Sequence, residues 1–284
     1  MIVNKILTDI EIKQRQGEFF DADYYHSIIR EDIDVFTPDG NLLFSLRKKV
    51  IPKRISNIAV KNLKPYTMAA KSNCRGVATG KVNLNYMNDS IVELLDPDNF
   101  KTRVKYSDGH VSQYKISNTC KSTIAGYYDK PTLHDKKNNK YNNIRLTSFS
   151  EKYYTEWLNT IEYVQYLDQL YKLVFKDDYM DRKNKLKDKK GIIDNTIFTT
   201  LTLNYNFRTA CHTDKGNTNY SILTTLGTWK GCYLGYPQYG ICIDVKEGDF
   251  LIMNPYEYHC NTEMIGKSDR ISIVTYSRAG IIGY

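Results

Sequence analysis

The chain has 284 residues, 41% apolar and 25% charged, with a formal net charge of +8 at pH 7. That length suffices for a substantial core in one large domain or two small ones, and the lack of any apolar run of about 18 residues excludes a transmembrane helix. The N-terminus, MIVNKILTDIEIKQRQ, has no signal-peptide pattern and the six cysteines include no C-x-x-C pair, so the reading is an intracellular protein, in cytoplasm or nucleus, with reduced thiols. Basic charge spread along the whole chain favours a polyanionic partner such as nucleic acid.

In chain order, EDIDVFTPDGNLLFSLRKKVI (31–51) predicts a hairpin around Pro38-Asp39-Gly40, and FKTRVKYSDGHVSQYKI a second one turning at Asp108-Gly109. Between them KSNCRGVATGK (71–81) reads as a basic loop, and HDKKNNKYNN (134–143) as an exposed one. Ser148-Phe149-Ser150-Glu151 fits a capping box opening a helix, in which Trp157, Ile161, Val164, Leu167 or Asp168, Tyr171 and Val174 recur at helical spacing. The charge run 181–191 reads as a solvated loop. From Ile197 the texture changes to short strands: IFTTLTL, SILTTL, YGICIDV, FLIM and RISIVTY, with a tight turn at Glu247-Gly248-Asp249. The expected fold is mainly β with packed helices, a double-stranded β-helix or jelly-roll core. Residues 1–146 are expected to supply accessory strands and loops, and 147–284 the helix and catalytic core, in one compact unit.

His212-x-Asp214 puts an imidazole and a carboxylate on one side of an extended segment. Taken alone, the pair is a metal site, a catalytic dyad or a chance surface pair. A second histidine, His259, follows the FLIM strand, and two histidines with one carboxylate form the facial triad that suits Fe(II); zinc competes for the same ligands. Arg270 and Ser272 then share a strand face with Val274 and Tyr276. A guanidinium beside a hydroxyl on an inward face calls for an anion, and a carboxylate anchor satisfies it. Together these residues indicate an Fe(II)/2-oxoglutarate site. A closed structural metal site in a binding module is the rival, disfavoured because only three ligands are present.

In TACHTDKGN, GYPQYGICIDVKEGDFLIMNPYEYHCNTE and RISIVTY, residues 197–278 resemble the TET/JBP family of 2-oxoglutarate-dependent dioxygenases, in a phage or viral-type form. The resemblance implies a double-stranded β-helix and hydroxylation of the 5-methyl group of thymine or 5-methylcytosine in DNA, with Fe(II), 2-oxoglutarate and O2. It also implies that His212, Asp214 and His259 are the iron ligands, and that Arg270 and Ser272 anchor the distal carboxylate of 2-oxoglutarate. Asn217 and Tyr276 match the positions that hydrogen-bond and stack the target base. Arg278 stands where TET members have a histidine. Asn204 and Arg208 are candidates for the proximal carboxylate, and Arg75 and Gly76 for backbone contacts. The implied partner is DNA as a flipped base or single strand, met by a monomer without membrane attachment. An oxygenase acting on RNA or a protein side chain is the alternative.

Overall fold

The computed structural model describes residues 1–130 and 144–283. Eight strands form the major sheet, in the order Ile33–Phe36, Leu42–Arg47, Phe250–Met253, Asn217–Thr228, Asp269–Arg278, Thr200–Tyr205, Ser122–Tyr128, Arg145–Leu146. Four form the minor sheet, in the order Ser27–Ile29, Ile241–Ile243, Leu234–Tyr236, Cys260–Asn261. Leu43, Phe44, Leu223, Leu251 and Met253 of the first pack against Leu234, Tyr236, Ile241 and Ile243 of the second in one apolar cluster. The two sheets therefore face each other as a jelly roll, and strands from before and after residue 147 are mixed in both.

Alternation along the strands creates a three-layer arrangement. Ile271 and Ile273 point away from the minor sheet, with Leu201, Leu203, Ile222 and Leu226, into a core completed by two helices. Helix Lys53–Ala69 contributes Ile55, Ala59 and Leu63, at i, i+4 and i+8 on one face. Helix Tyr154–Val174 contributes Trp157, Val164, Leu167 and Tyr171. The opposite strand face, Arg270, Ser272, Val274 and Tyr276, is left for the space between the sheets. The outer side of the minor sheet is covered by the N-terminal segment through Ile12, Phe20 and Tyr25, packed with Cys211, Cys242 and Cys260. Among the described residues no helix is long and apolar enough to cross a membrane, and all six cysteines are free thiols.

The first expected hairpin forms, with Ile33–Phe36 antiparallel to Leu42–Arg47. The second forms its turn and pairs its two arms, but without a continuous ladder. Tyr106 donates its N–H to the His110 carbonyl at 2.9 Å, but strand Val104–Tyr106 pairs with Ile91–Leu94 upstream. The downstream arm touches it through isolated bridges, because the Ser112 hydroxyl takes the Val104 N–H at 2.9 Å in place of a backbone ladder partner.

The long helix opens differently from the expected capping box. The cap is Thr147, whose hydroxyl accepts the Ser150 N–H at 3.2 Å. A short helix, Ser148–Lys152, breaks at Tyr153 before the long one begins. The run 181–191 is not all loop. Its first half belongs to helix Lys176–Lys185, and Arg182 is buried there against Asp178 at 2.7 Å. Residues 134–143 lie outside the described residues.

Candidate active site

His212 and His259 sit opposite each other in an isolated antiparallel bridge. Each donates its backbone N–H to the other's carbonyl, at 3.0 and 2.9 Å. Exchanging both bonds fixes the two backbones as a close pair, and the ring centroids stand 4.5 Å apart. The Asp214 N–H donates to the Pro255 carbonyl at 2.9 Å, which tethers the carboxylate's segment to the same strand connection. One ligand atom from each of His212, Asp214 and His259 lies within 4.8 Å of the others.

The tautomers are fixed by neighbours. His212 Nδ1 lies 2.7 Å from the Ala210 carbonyl and His259 Nδ1 2.9 Å from the Glu257 carbonyl. A carbonyl can only accept, so both Nδ1 atoms carry the proton and both Nε2 lone pairs are free to ligate. Burial pushes the His259 pKa down to about 4, and the adjacent His212 imidazole works in the same direction. His259 is thus neutral, the form a metal requires. Two imidazoles and a carboxylate on one side, with no fourth protein ligand among the described residues, fit Fe(II) with open positions.

The triad lines a cavity of about 480 Å³ together with Arg270, Ser272, Val274 and Tyr276 from one strand and Thr202 and Asn204 from its neighbour. The register pairs Ser272 with Asn204 and Val274 with Thr202, so alternate residues of both strands face the same space. Arg270 is only 2% exposed, and its Nε and Nη1 are buried with no hydrogen-bond partner among the described residues. Leaving a charged donor unpaired costs about 1–3 kcal/mol or more, so an anion fits this position. Trp229 flanks the guanidinium at 5.5 Å. Gly227 lies opposite Arg270, and a side chain there would meet the Asp269 carbonyl at 1.9 Å. Only glycine lets the two strands close at the anion site.

Of the residues named from sequence, His212, Asp214, His259, Arg270, Ser272, Asn204, Asn217 and Tyr276 all border this one cavity, as do Arg75, Gly76 and Arg278. Tyr276 is 5% exposed, with its hydroxyl 3.3 Å from that of Thr202. Asn217 Nδ2 lies 3.4 Å from both Asp214 Oδ2 and Ser221 Oγ, so it steadies the carboxylate as well as facing the cavity. Arg278 is held by Asp129 at 2.6 Å. Arg208 is not brought into the cavity. Its guanidinium turns outward to Asp21 at 2.6 Å and lies over the Phe19 ring. Asn204 is partly committed, since its Oδ1 accepts the Ser122 hydroxyl at 2.6 Å.

Asn261 was not anticipated. Its Oδ1 accepts the Thr209 hydroxyl at 2.9 Å, while its Nδ2 is buried without a partner in a residue that lines the cavity. The signal was its position two residues after His259, on the same face of the extended chain. Lys101, Lys215 and Gln16 also border the cavity from distant segments.

A sequence profile of the oxygenase domain of the 2OGFeDO superfamily, Tet_JBP, matches residues 123–279. The thymine dioxygenase JBP1 of Trypanosoma brucei brucei is 32% identical over 169 residues, which are 56% of this chain and 19% of that protein. The bifunctional helicase and thymine dioxygenase JBP2 of the same species is 33% identical over 168 residues, 57% of this chain and 15% of that one. The chain thus spans about a fifth or less of the length of these curated relatives. The solved structure of NgTET1 in complex with 5mC DNA superposes with a TM-score of 0.56 at 12% identity, over 98% of this chain and 93% of that one, and so shares the fold. With the profile covering more than half of a chain whose jelly roll holds the triad and the buried arginine, this protein belongs to the Tet/JBP oxygenase-domain family of the 2OGFeDO superfamily.

Proposed function

We propose that the protein is an Fe(II)/2-oxoglutarate-dependent dioxygenase that hydroxylates the 5-methyl group of a pyrimidine in DNA, with thymine as the preferred base. The observation that carries the oxygenase reading is one cavity bordered by both the His212–Asp214–His259 triad and the unpartnered guanidinium of Arg270. When bound, the iron and 2-oxoglutarate would supply the oxidation: one atom of O2 enters the methyl group as a hydroxyl, the other enters succinate, and CO2 leaves.

The residues divide the remaining work. His212, Asp214 and His259 would hold the metal on one side only. Arg270 and Ser272 would take the distal carboxylate of 2-oxoglutarate, and Asn261 Nδ2 is positioned to donate to another of its oxygens. Arg208 has no part in this reading, because its charge is already paired outside the cavity. The apolar walls from Leu223, Leu234, Met253 and Val274 exclude water from the reacting space.

A stacked base cannot reach a metal enclosed between two sheets, so the target would enter unpaired or flipped out. Tyr276 would stack on the ring and Asn217 would meet its Watson–Crick edge. Two observations favour thymine. The relatives at 32–33% identity are named thymine dioxygenases. In addition, among the described residues the cavity offers the cations Arg75, Lys101 and Lys215, while its one carboxylate, Asp214, belongs to the triad. Thymine presents an acceptor at O4, which these donors suit; 5-methylcytosine presents an amino donor there and would need an acceptor. The free thiols agree with an intracellular site of action, and the domain would act as one unit because both sheets draw on both halves of the chain. Competition between thymine- and 5-methylcytosine-containing oligonucleotides, read by nucleoside mass spectrometry, tests the preference. Faster oxidation of 5-methylcytosine would reverse it.

A further inference from the structure

Beside the triad cavity lies a second one, of about 360 Å³, bordered by Lys71, Arg75 and Arg145 and by the hydroxyl-bearing residues Ser72, Thr123 and Ser148. Among the described residues, no carboxylate and no histidine lines it. Two of its guanidiniums are underused. Among the described residues, Arg75 makes one long bond, from Nη2 to the Thr123 carbonyl at 3.4 Å, and Arg145 one bond, from Nη1 to the Leu146 carbonyl at 3.0 Å. Each keeps a buried Nε with no hydrogen-bond partner among the described residues. Neighbouring Arg278 is different, since Asp129 neutralises it. Buried, unpaired cationic donors converging with hydroxyls on a carboxylate-free cavity describe an anion site. Arg75 also borders the triad cavity, so an anion in the second cavity abuts whatever fills the first.

We propose that this second cavity receives a phosphodiester of the strand whose base enters the triad cavity; the inference rests on the DNA reading above. A nucleotide turned out of its stack brings its own phosphates to the mouth of the pocket. The forks of Arg75 and Arg145 suit the two free phosphate oxygens, and Lys71 adds a point charge at the exposed edge. Arg75, facing both cavities, couples the phosphate's position to that of the base. Free inorganic phosphate has the same chemistry and is the competing occupant.

The test is anisotropy of a labelled single-stranded thymine oligonucleotide across a salt series. It compares wild type, Lys71→Gln, Lys71→Gln with Arg145→Gln, and a control pair, Lys61→Gln with Lys172→Gln, whose exposed lysines border neither cavity. The cleft pair is expected to bind at least about tenfold more weakly, with the slope of log affinity against log salt flattened by about 1.4, or about 0.7 for each lost contact. Exposed Lys71→Gln alone, which leaves the packing untouched, should show half that flattening, and the control pair less than a threefold loss. Cleft variants that behave like the control while wild type binds would overturn the phosphodiester site and leave the DNA reading standing. Wild type that binds no oligonucleotide would overturn both. A thermal upshift by inorganic phosphate that is lost in the cleft pair, with oligonucleotide affinity unchanged, would give the cavity to free phosphate instead.

Discussion

His212 and His259 exchange two backbone hydrogen bonds, at 3.0 and 2.9 Å, although 46 residues of chain lie between them. The backbone pairing therefore brings the two imidazoles of the candidate metal site together. Truncating either imidazole leaves that pairing in place. His212→Ala and His259→Ala should each reduce turnover to below about 1% of wild type and weaken Mn(II) binding, measured calorimetrically, at least about tenfold. The far-ultraviolet circular dichroism should not change. Variants that kept Mn(II) affinity would remove these histidines from a metal site.

Arg270 is a buried cation that has no carboxylate partner among the described residues. Replacing it by alanine removes a charge-assisted interaction worth about 1.5–3 kcal/mol, equivalent to a loss of about 10- to 150-fold in 2-oxoglutarate affinity. Trp229 lies 5.5 Å from the guanidinium, so its fluorescence should report the titration without turnover. An unchanged titration in Arg270→Ala would place the cosubstrate elsewhere.

Asn261 tests a finer point. Asn261→Leu keeps the size of the side chain and deletes the unpaired donor. The 2-oxoglutarate affinity should fall about three- to tenfold while Mn(II) affinity stays within twofold, because the residue neighbours the ligand strand without being a ligand. A loss of metal affinity equal to the loss of cosubstrate affinity would make Asn261 a support of His259 instead.

Asn217 faces the cavity from three residues beyond Asp214. Asn217→Asp supplies an acceptor where 5-methylcytosine presents its amino group, so the ratio of thymine to 5-methylcytosine oxidation should shift toward 5-methylcytosine by at least fivefold. Equal rates for both bases in wild type and variant would remove Asn217 from base reading.

Away from the site, burial raises the Asp168 carboxyl above its usual 3.8, against the opposing pull of the Ile197 N–H and the Tyr179 hydroxyl. The fold therefore holds the proton more tightly than the unfolded chain does. This group's contribution to stability is fully present below pH 3.8 and is lost as pH rises through the raised value. The difference in urea midpoint between wild type and Asp168→Asn should move in the variant's favour as pH increases across that window. A difference independent of pH would contradict it.

What was legible in the sequence was what short-range alternation and ligand chemistry encode. Arg270, Ser272, Val274 and Tyr276 had to share a face because strand residues alternate, and His212 and Asp214 had to project together for the same reason. What was hidden depended on distant partners or on broken patterns. The arginine at 208 looked like a site residue until Asp21, far back in the chain, captured it. Helix Lys53–Ala69 was missed because it carries Pro65, a residue that usually ends a helix, and because Pro52 gives no side-chain cap. The Val104–Tyr106 strand takes its continuous ladder from Ile91–Leu94, upstream of the turn, while the Ser112 hydroxyl holds the Val104 N–H on the other edge. Cavity residues from unrelated segments, such as Lys101 and Gln16, carry no local signal at all.

The central claim is that one cavity oxidises a pyrimidine methyl group. It is tested most directly by digesting a single strand that contains both thymine and 5-methylcytosine after incubation with Fe(II), 2-oxoglutarate and oxygen, and quantifying hydroxymethylated nucleoside against succinate. The account predicts 5-hydroxymethyluracil formed in step with succinate in wild type, and neither product in His212→Ala. Succinate released while thymine and 5-methylcytosine both stay unmodified would contradict it.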